Sequence, residues 1–371
     1  CSFESKAGVR QGACSSCPLF TFLMDSIIEK VRTYGVDDWL ENTHMLMLMD
    51  DTVIVGTSRA ALQEKLNLTV LCLEEIGMRV NQGKSAVIAV GTQDTNPFQM
   101  GDVEVHSTDK YKYLGTLISN KSIKDQMKMH LHSKRPQALK FAAFLHKNND
   151  APYAVKKTVW QAAMLASVMY SCDTWLCTDF RPAESMYTST LKELLGVRLT
   201  TCNDLTLLEA GVPSASHVIR QQQKNLLERI RRRQSYEGSN LQFLIEMAMN
   251  TGCPMGRALQ DLERQDLSQD PLLSIKQDTR NSESTRRRAY RAMNENLEQH
   301  PIYASETTIK ESHRVAFTRI RLSSHHMMFE RGRWSRIPPE NRLCQCNQVQ
   351  TDRHVLLMCP LTENIRRNSM L

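Results

Sequence analysis

The sequence predicts an α+β chain. Short antiparallel hairpins and two helices come first, a mostly helical stretch follows, and a small Cys/His module closes the chain. Three observations carry this. Up to about residue 121, short apolar and β-branched runs alternate with Gly-containing turns and two helical patterns. From residue 122 Gly and Pro thin out, and apolar spacing of three and four takes over. Beyond residue 343, three cysteines and a histidine stand in ligand-like spacing.

Taken in order, Phe20, Leu23, Met24, Ile27, Ile28 and Val31 lie at helical spacing. Pro18 suits the first turn of that helix, which is expected over 18–34, and Gly35 suits its stop. Residues 44–55 predict a β-hairpin packed on this helix, with Asp50 and Asp51 at the tip. Ser58 caps a second helix whose apolar face carries Leu62, Leu66, Val70 and Leu73, and Gly77 follows it. Ala86 to Val90 is expected as a strand, and Phe98 to Val105 as a hairpin turning at Gly101-Asp102. Tyr111 to Ile118 is a further strand candidate. Helices are then expected at 137–145, 154–170, 186–195, 215–234, 241–249, 286–298 and 307–328, with a polar linker at 250–285.

The chain has 371 residues, 41% of them hydrophobic and 23% charged, a globular balance. The nearest apolar run, 160–177, carries Gln161, Asp173 and serines, so no membrane span is expected. No signal segment opens the chain. Eleven scattered cysteines then point to a reduced, intracellular compartment. The chain opens on Cys1 rather than Met, which suggests a piece of a longer protein. Lys plus Arg total 47 against 40 Asp plus Glu, a net +7. Residues 312–343 concentrate that charge, with seven Arg against two Glu. An anionic partner is the physical implication.

Asp50 and Asp51 are the sharpest chemical feature. Adjacent carboxylates repel and favour a cation beside them, yet Asp is also common in solvated turns. Asp37-Asp38 is the same dipeptide without flanking strands and reads as a loop. At the other end, Cys344, Cys346, His354 and Cys359 offer four soft ligands within sixteen residues, which suits tetrahedral Zn²⁺. The bland alternative is a reduced Cys pair on a loop and one core cysteine. Four protein ligands would close the coordination sphere, which argues against a zinc enzyme acting on small molecules. Arg331, Arg333 and Arg336 surround Trp334, a basic patch with an aromatic suited to nucleic acid. The clusters at 229–233 and 286–291 read either as phosphate contacts or as solvated helix faces.

The order of motifs separates the readings of the Asp pair. Gly8-Val9-Arg10-Gln11-Gly12 precedes the first helix. Gly77 to Ser85, ending Gln82-Gly83-Lys84-Ser85, and Tyr111-Lys112-Tyr113-Leu114-Gly115 follow the hairpin. This series resembles the palm of reverse transcriptases, specifically those of LINE-type (non-LTR) retrotransposons. Tyr170 to Trp175 resembles a segment of the family's thumb, and the basic stretch with its terminal Cys/His knuckle resembles the family's C-terminus.

The resemblance implies a partial polymerase palm at 1–121, a helical thumb at 122–249, the linker at 250–285, a basic helical region at 286–343 and a zinc knuckle at 344–371. It implies an RNA-directed DNA polymerase working by two-metal nucleotidyl transfer, with Mg²⁺ on Asp50 and Asp51 as second acid. Arg10, Gln11 and Gly12 would contact nucleotide and template, Lys84 the triphosphate, and Tyr113, Leu114 and Gly115 would form the primer grip. RNA template, DNA primer or target and dNTPs are the implied partners, in the nucleus. Leu48 and Met49 stand where the family commonly carries an aromatic and Ala. The family's first catalytic aspartate lies upstream of the segment at 8–12, and none of residues 1–7 is Asp. The chain alone is therefore expected to be inactive. A non-catalytic nucleic-acid-binding remnant of such an element is the rival.

Overall fold

The computed structural model describes residues 13–33, 45–92, 94, 96–237, 240–304 and 309–369. The chain forms two compact units that interleave along the sequence. The first comprises 1–130, 173–178 and 223–264, and the second comprises 131–172, 179–222 and 265–371.

In the first unit, helix α1 runs Ser16–Thr33. Strands β1 (Met45–Leu48) and β2 (Asp51–Ile54) pair antiparallel across the two-residue turn Met49-Asp50. The expected hairpin is therefore present over its described residues, with one shift of detail. Asp50 lies in the turn, while Asp51 opens β2 opposite Leu48. Met45, Met47 and Ile54 pack with Met24, Ile27 and Val31 of α1, as alternation along a strand requires. Helix α2 (Arg59–Glu75) starts where Ser58 Oγ accepts the Ala61 N–H at 3.1 Å, and Gly77 at φ +74° follows it.

Strands β3 (Phe98–Met100) and β4 (Val103–Val105) form the hairpin expected around Gly101-Asp102, with Gly101 at φ +60°. Residues 86–90 form no strand; only Val87 bridges to Ser107. The run at 111–118, expected as one strand, is a hairpin of β5 (Lys110–Tyr113) and β6 (Thr116–Ser119). Leu114 and Gly115 both take positive φ, +47° and +82°, which closes a two-residue turn whose twist matches the strands. Each hairpin forms its own two-stranded sheet: β1–β2 packs on α1, and β3–β4 packs with Leu66 and Val87.

The stretch expected as a linker instead contains the helices Pro254–Arg264 and Leu273–Asn281. Leu259 and Leu262 are fully buried against Leu227 and Ala248. The Gly and Pro that suggested a loop mark the turn before the helix, and Gly256 permits close approach to Asn240–Asn250.

The second unit is helical. A rod runs through Tyr153–Val159, a π-turn at Trp160–Leu165 and Ala166–Val168. Trp160 is buried edge-on to Tyr187, 5.2 Å between centroids, and its indole N–H donates to Thr190 Oγ1 at 3.0 Å. Beside this apolar core lies a buried polar one. Glu209, with no exposed surface, accepts from Tyr290 Oη (2.8 Å), Tyr303 Oη (2.7 Å) and Arg321 Nε (2.8 Å). Arg314 pairs with Glu311 at 2.6 Å, and Lys156 reaches Glu311 at 3.1 Å. Arg314 and Arg321, expected in the basic stretch to meet phosphates, are instead core ion pairs that hold the helix Glu311–Arg321. A buried guanidinium persists only when paired, and the carboxylates that pair these two lie far away in sequence or on the same helix turn.

Candidate functional site

Two candidate sites emerge, one in each unit. In the first unit the register sets the carboxylates. Because Leu48 opposes Asp51 and Leu46 opposes Val53, Asp51 shares its face with Leu46, Leu48 and Val53. The other face carries Met45 and Ile54 into the core. Asp51 therefore stands on the open face beside the half-exposed Leu46 and Leu48, with Asp50 exposed one residue before it. Met49, which enters the turn, sits at φ +55°, a left-handed conformation that costs a side chain about 1 kcal/mol or more. Strain of this kind clusters where a site over-determines the backbone.

The β5–β6 hairpin reaches the same place. Burial raises the Tyr113 phenol pKa above its ordinary value, and the charge of Asp51 raises it further. The phenol therefore lies within electrostatic reach of Asp51. Lys84 ends a short 3₁₀ turn, Gln82–Lys84. Tyr111 Oη donates to its carbonyl, and Gln82 Nε2 donates to the Met100 carbonyl at 3.2 Å. The exposed Lys84 ammonium makes no ion pair with Asp50 or Asp51 in the structure. Arg10, Gln11 and Gly12, like Asp37 and Asp38, lie outside the described residues.

The donor set suits Mg²⁺ in part. That ion binds through one or two carboxylates together with substrate phosphates and water, which Asp50 and Asp51 can complement. Among the described residues no third acid, His or Cys joins them in a ligand cluster.

In the second unit, Cys344, Cys346, His354 and Cys359 place one ligand atom each within 4.8 Å of all the others. The Cys344 N–H donates to the Gln348 carbonyl at 2.8 Å, the Asn347 N–H to the Cys344 carbonyl at 2.9 Å, and Asn347 takes φ +64°. That turn brings both thiols to one side. His354 and Cys359 are joined by an i→i+5 bond, Cys359 N–H to His354 carbonyl at 2.7 Å. The connecting segment is thus a π-turn, His354–Met358, rather than the short α-helix that apolar spacing suggests. Pro360 follows the last ligand.

The sulfur atoms of Cys344 and Cys359 stand 3.8 Å apart, and those of Cys346 and Cys359 3.9 Å. A disulfide requires about 2.05 Å. Tetrahedral ligands at about 2.3 Å from Zn²⁺ require an edge of about 3.8 Å, which these pairs match. Cys346 Sγ lies 3.1 Å from His354 Nε2. The Cys346 backbone N–H draws the Cys344 thiol pKa down to about 6, against the effect of burial, with help from the other three ligands. Cys346 moves upward: the Gln348 N–H lowers its pKa, but burial and the neighbouring Cys344 and Cys359 outweigh that. One thiolate thus forms readily, and a cation at the centre would relieve the cost of the next. The residues fit Zn²⁺, which would supply tetrahedral cross-linking here.

The basic residues divide. Arg331 and Arg336 are exposed. Arg333 donates to Glu330 at 2.7 Å, and Trp334 carries the Arg198 guanidinium over its ring at 3.4 Å. Arg198 and Glu330 are the residues that sequence reasoning missed. Arg198 is isolated from the basic stretch by over a hundred positions, and no local pattern marks it. The Arg229, Arg231 and Arg232 side chains pair with Asp173, Glu263 and Glu228. Arg287 pairs with Asp204 at 2.5 Å, and Arg291 donates to the Arg280 carbonyl.

No helix among the described residues is long and apolar enough to cross a membrane. No curated protein and no solved structure matches the chain. The family model described as reverse transcriptase (RNA-dependent DNA polymerase) matches residues 1–118, the stretch that carries both the Asp50–Asp51 hairpin and the Tyr113 tip.

Proposed function

We propose that this chain is the C-terminal part of the reverse transcriptase of a LINE-type (non-LTR) retrotransposon, acting with RNA template, DNA primer and dNTPs in the nucleus. The observation that carries the reading is the carboxylate hairpin. Within the matched segment it presents Asp50 at a strained turn and Asp51 on an open face beside Tyr113. Divalent ions, when bound, supply charge neutralisation at the attacking and leaving oxygens. Asp50 is the ligand in this reading, and Asp51 adds negative charge beside it. Tyr113, Leu114 and Gly115 border the primer terminus, and Lys84, at the end of its 3₁₀ turn, meets the triphosphate. Arg10, Gln11 and Gly12 keep their assigned nucleotide and template contacts. The C-terminal Cys/His cluster holds Zn²⁺ and folds the end of the chain beside the basic surface.

A second reading is a nucleic-acid-binding remnant without catalysis. It draws on one contrast: the cysteine-histidine set brings four donor atoms within 4.8 Å of one another, whereas the hairpin offers two carboxylates among the described residues. Primer extension separates the two. Residues 1–371 alone are expected to extend no primer. A longer protein that adds an acid-bearing palm strand is expected to extend one, and Asp50→Asn should remove that activity by at least a hundredfold, as loss of a metal ligand requires. Extension that survives Asp50→Asn refutes the assignment.

A further inference from the structure

The arginines of the second unit are not equally neutralised. Arg314 and Arg321 have buried carboxylate partners, and Arg287 has Asp204. Around Glu330 the balance differs. This carboxylate is 1% exposed in its side chain. Its Oε1 accepts from Arg333 at 2.7 Å, while its Oε2 accepts no hydrogen bond and stands 3.7 Å from Arg286 Nη2. Arg198 lies alongside, its guanidinium over Trp334, and its Nη2 donates to the Ser323 carbonyl at 3.0 Å. Arg319 Nε donates to the Gly196 carbonyl at 2.7 Å, two residues from Arg198.

Electrostatics ties Arg198 to Glu330, Arg286 and Arg319. Burial holds the Arg198 guanidinium below its ordinary pKa; Glu330 opposes this, while the charges of Arg286 and Arg319 add to it. Glu330 thus stands against the guanidiniums of Arg333, Arg286 and Arg198, and Arg319 adds a further positive charge beside Arg198. Three of the four guanidiniums are anchored by carbonyls, an aromatic face or the carboxylate, so they are held in place before any ligand arrives. Each guanidinium offers five donors in a fixed fork, and the contacts above use few of them. The ligand that matches is an oxyanion with several acceptors, spaced along a chain.

We propose that Arg198, Arg286, Arg319 and Arg333, organised by Glu330 and bordered by Trp334, form a binding site for the phosphodiester backbone of a nucleic acid. The inference rests on the reading of this chain as a nucleic-acid-binding protein, and it moves the contact from the linear motif at 331–336 to a surface built from four separate segments. Arg331 and Arg336, both exposed, extend it along the chain. The arginines at 229–232 differ because each has its own carboxylate partner.

The test uses the full chain with Zn²⁺ and short fluorescent RNA and DNA strands, read by anisotropy across about 50–200 mM salt. For single strands each lost phosphate contact lowers the slope of log K against log salt by about 0.7, so R198A/R286A should lower it by about 1.4. R198K/R286K should keep the slope, because the charges remain. R181A/R232A, which removes two exposed arginines elsewhere, should also keep it. If R198A/R286A does not fold, R286A alone carries the test with a drop of about 0.7. A wild-type chain that binds while R286A and R198A/R286A match it in slope overturns this site and leaves the broader reading standing. A wild-type chain with no salt-dependent binding to RNA or DNA overturns both. Inorganic phosphate that competes as well as a strand of equal phosphate content would make this an isolated anion site and overturn the proposal. The RNA and DNA arms show which backbone it prefers.

Discussion

At the residue scale, the electrostatic influence of Asp51 on Tyr113 makes the clearest prediction. Burial accounts for most of the upward shift of the phenol, and the Asp51 charge for the rest. Tyrosinate is the charged form, so a nearby anion opposes it. Asp51→Asn should therefore lower the Tyr113 pKa part of the way towards its ordinary value, leaving the burial contribution. Tyrosine-labelled NMR titration reads this directly. An unchanged pKa would separate the β5–β6 tip from the carboxylates. The sign for stability follows the same logic. A phenol whose folded pKa is raised costs nothing while neutral, and costs the fold progressively once pH exceeds its ordinary value near 10. Glu209 makes a second case at this scale. It is fully buried, holds Arg321 and receives two phenol hydroxyls. Glu209→Gln would leave a buried guanidinium without its counter-charge, a loss on the order of 3–5 kcal/mol. Chemical denaturation should show it as a lower midpoint, and a loss below about 1 kcal/mol would mean that the network is solvated rather than dry.

At the element scale, the helices Asn240–Asn250 and Pro254–Arg264 depend on Gly256. A Cβ there would overlap the Ala248 carbonyl, which is backbone and cannot rotate away. Gly256→Ala should cost about 1–3 kcal/mol through forced separation of the two helices. Hydrogen exchange should report the loss, with amides of Pro254–Arg264 exchanging faster than those of α2. Equal protection in variant and parent would show that the pair has room to shift. The stretch illustrates why a sequence reading slips. Polar composition and two turn formers dominated the window, while Ala258, Leu259 and Leu262 supplied a buried stripe too short to register as periodic. The run at 111–118 slipped for a related reason. Leu114 is not a turn former, and only the observed positive φ at Leu114 and Gly115 makes one strand into two.

At the scale of the molecule, the proposed zinc site predicts that the C-terminal module depends on ligation. Leu356, Leu357, Met358, Leu361 and Ile365 are all exposed, so apolar burial contributes little there. In the proposed zinc-bound form, metal binding would be the main source of folding free energy for these residues. Purified protein should contain one Zn²⁺, and Cys359→Ser should reduce that to near zero. Chelation should raise hydrogen exchange across 342–369 and leave β1 and β2 protected. Zinc content near zero in both proteins would reduce the cluster to packing.

Much of this protein was legible before any coordinates. The carboxylate hairpin, the Ser58 cap, the Gly101 turn and the clustering of the four Cys/His side chains all rest on signals a few residues long: alternation, capping chemistry, turn preferences and ligand-like spacing. Local signals act over one or two turns of chain, so short windows contain them. The tertiary structure alone decided which charges are spent. Arg314 and Arg321 look like their neighbours in a basic stretch, yet Glu311 and Glu209 neutralise them in the core. Arg198, with no basic neighbour in sequence, joins Arg286 and Arg333 beside Glu330, with the Arg319 charge close by. Electrostatic energy depends on distance through space and on burial, and neither is written in the order of residues.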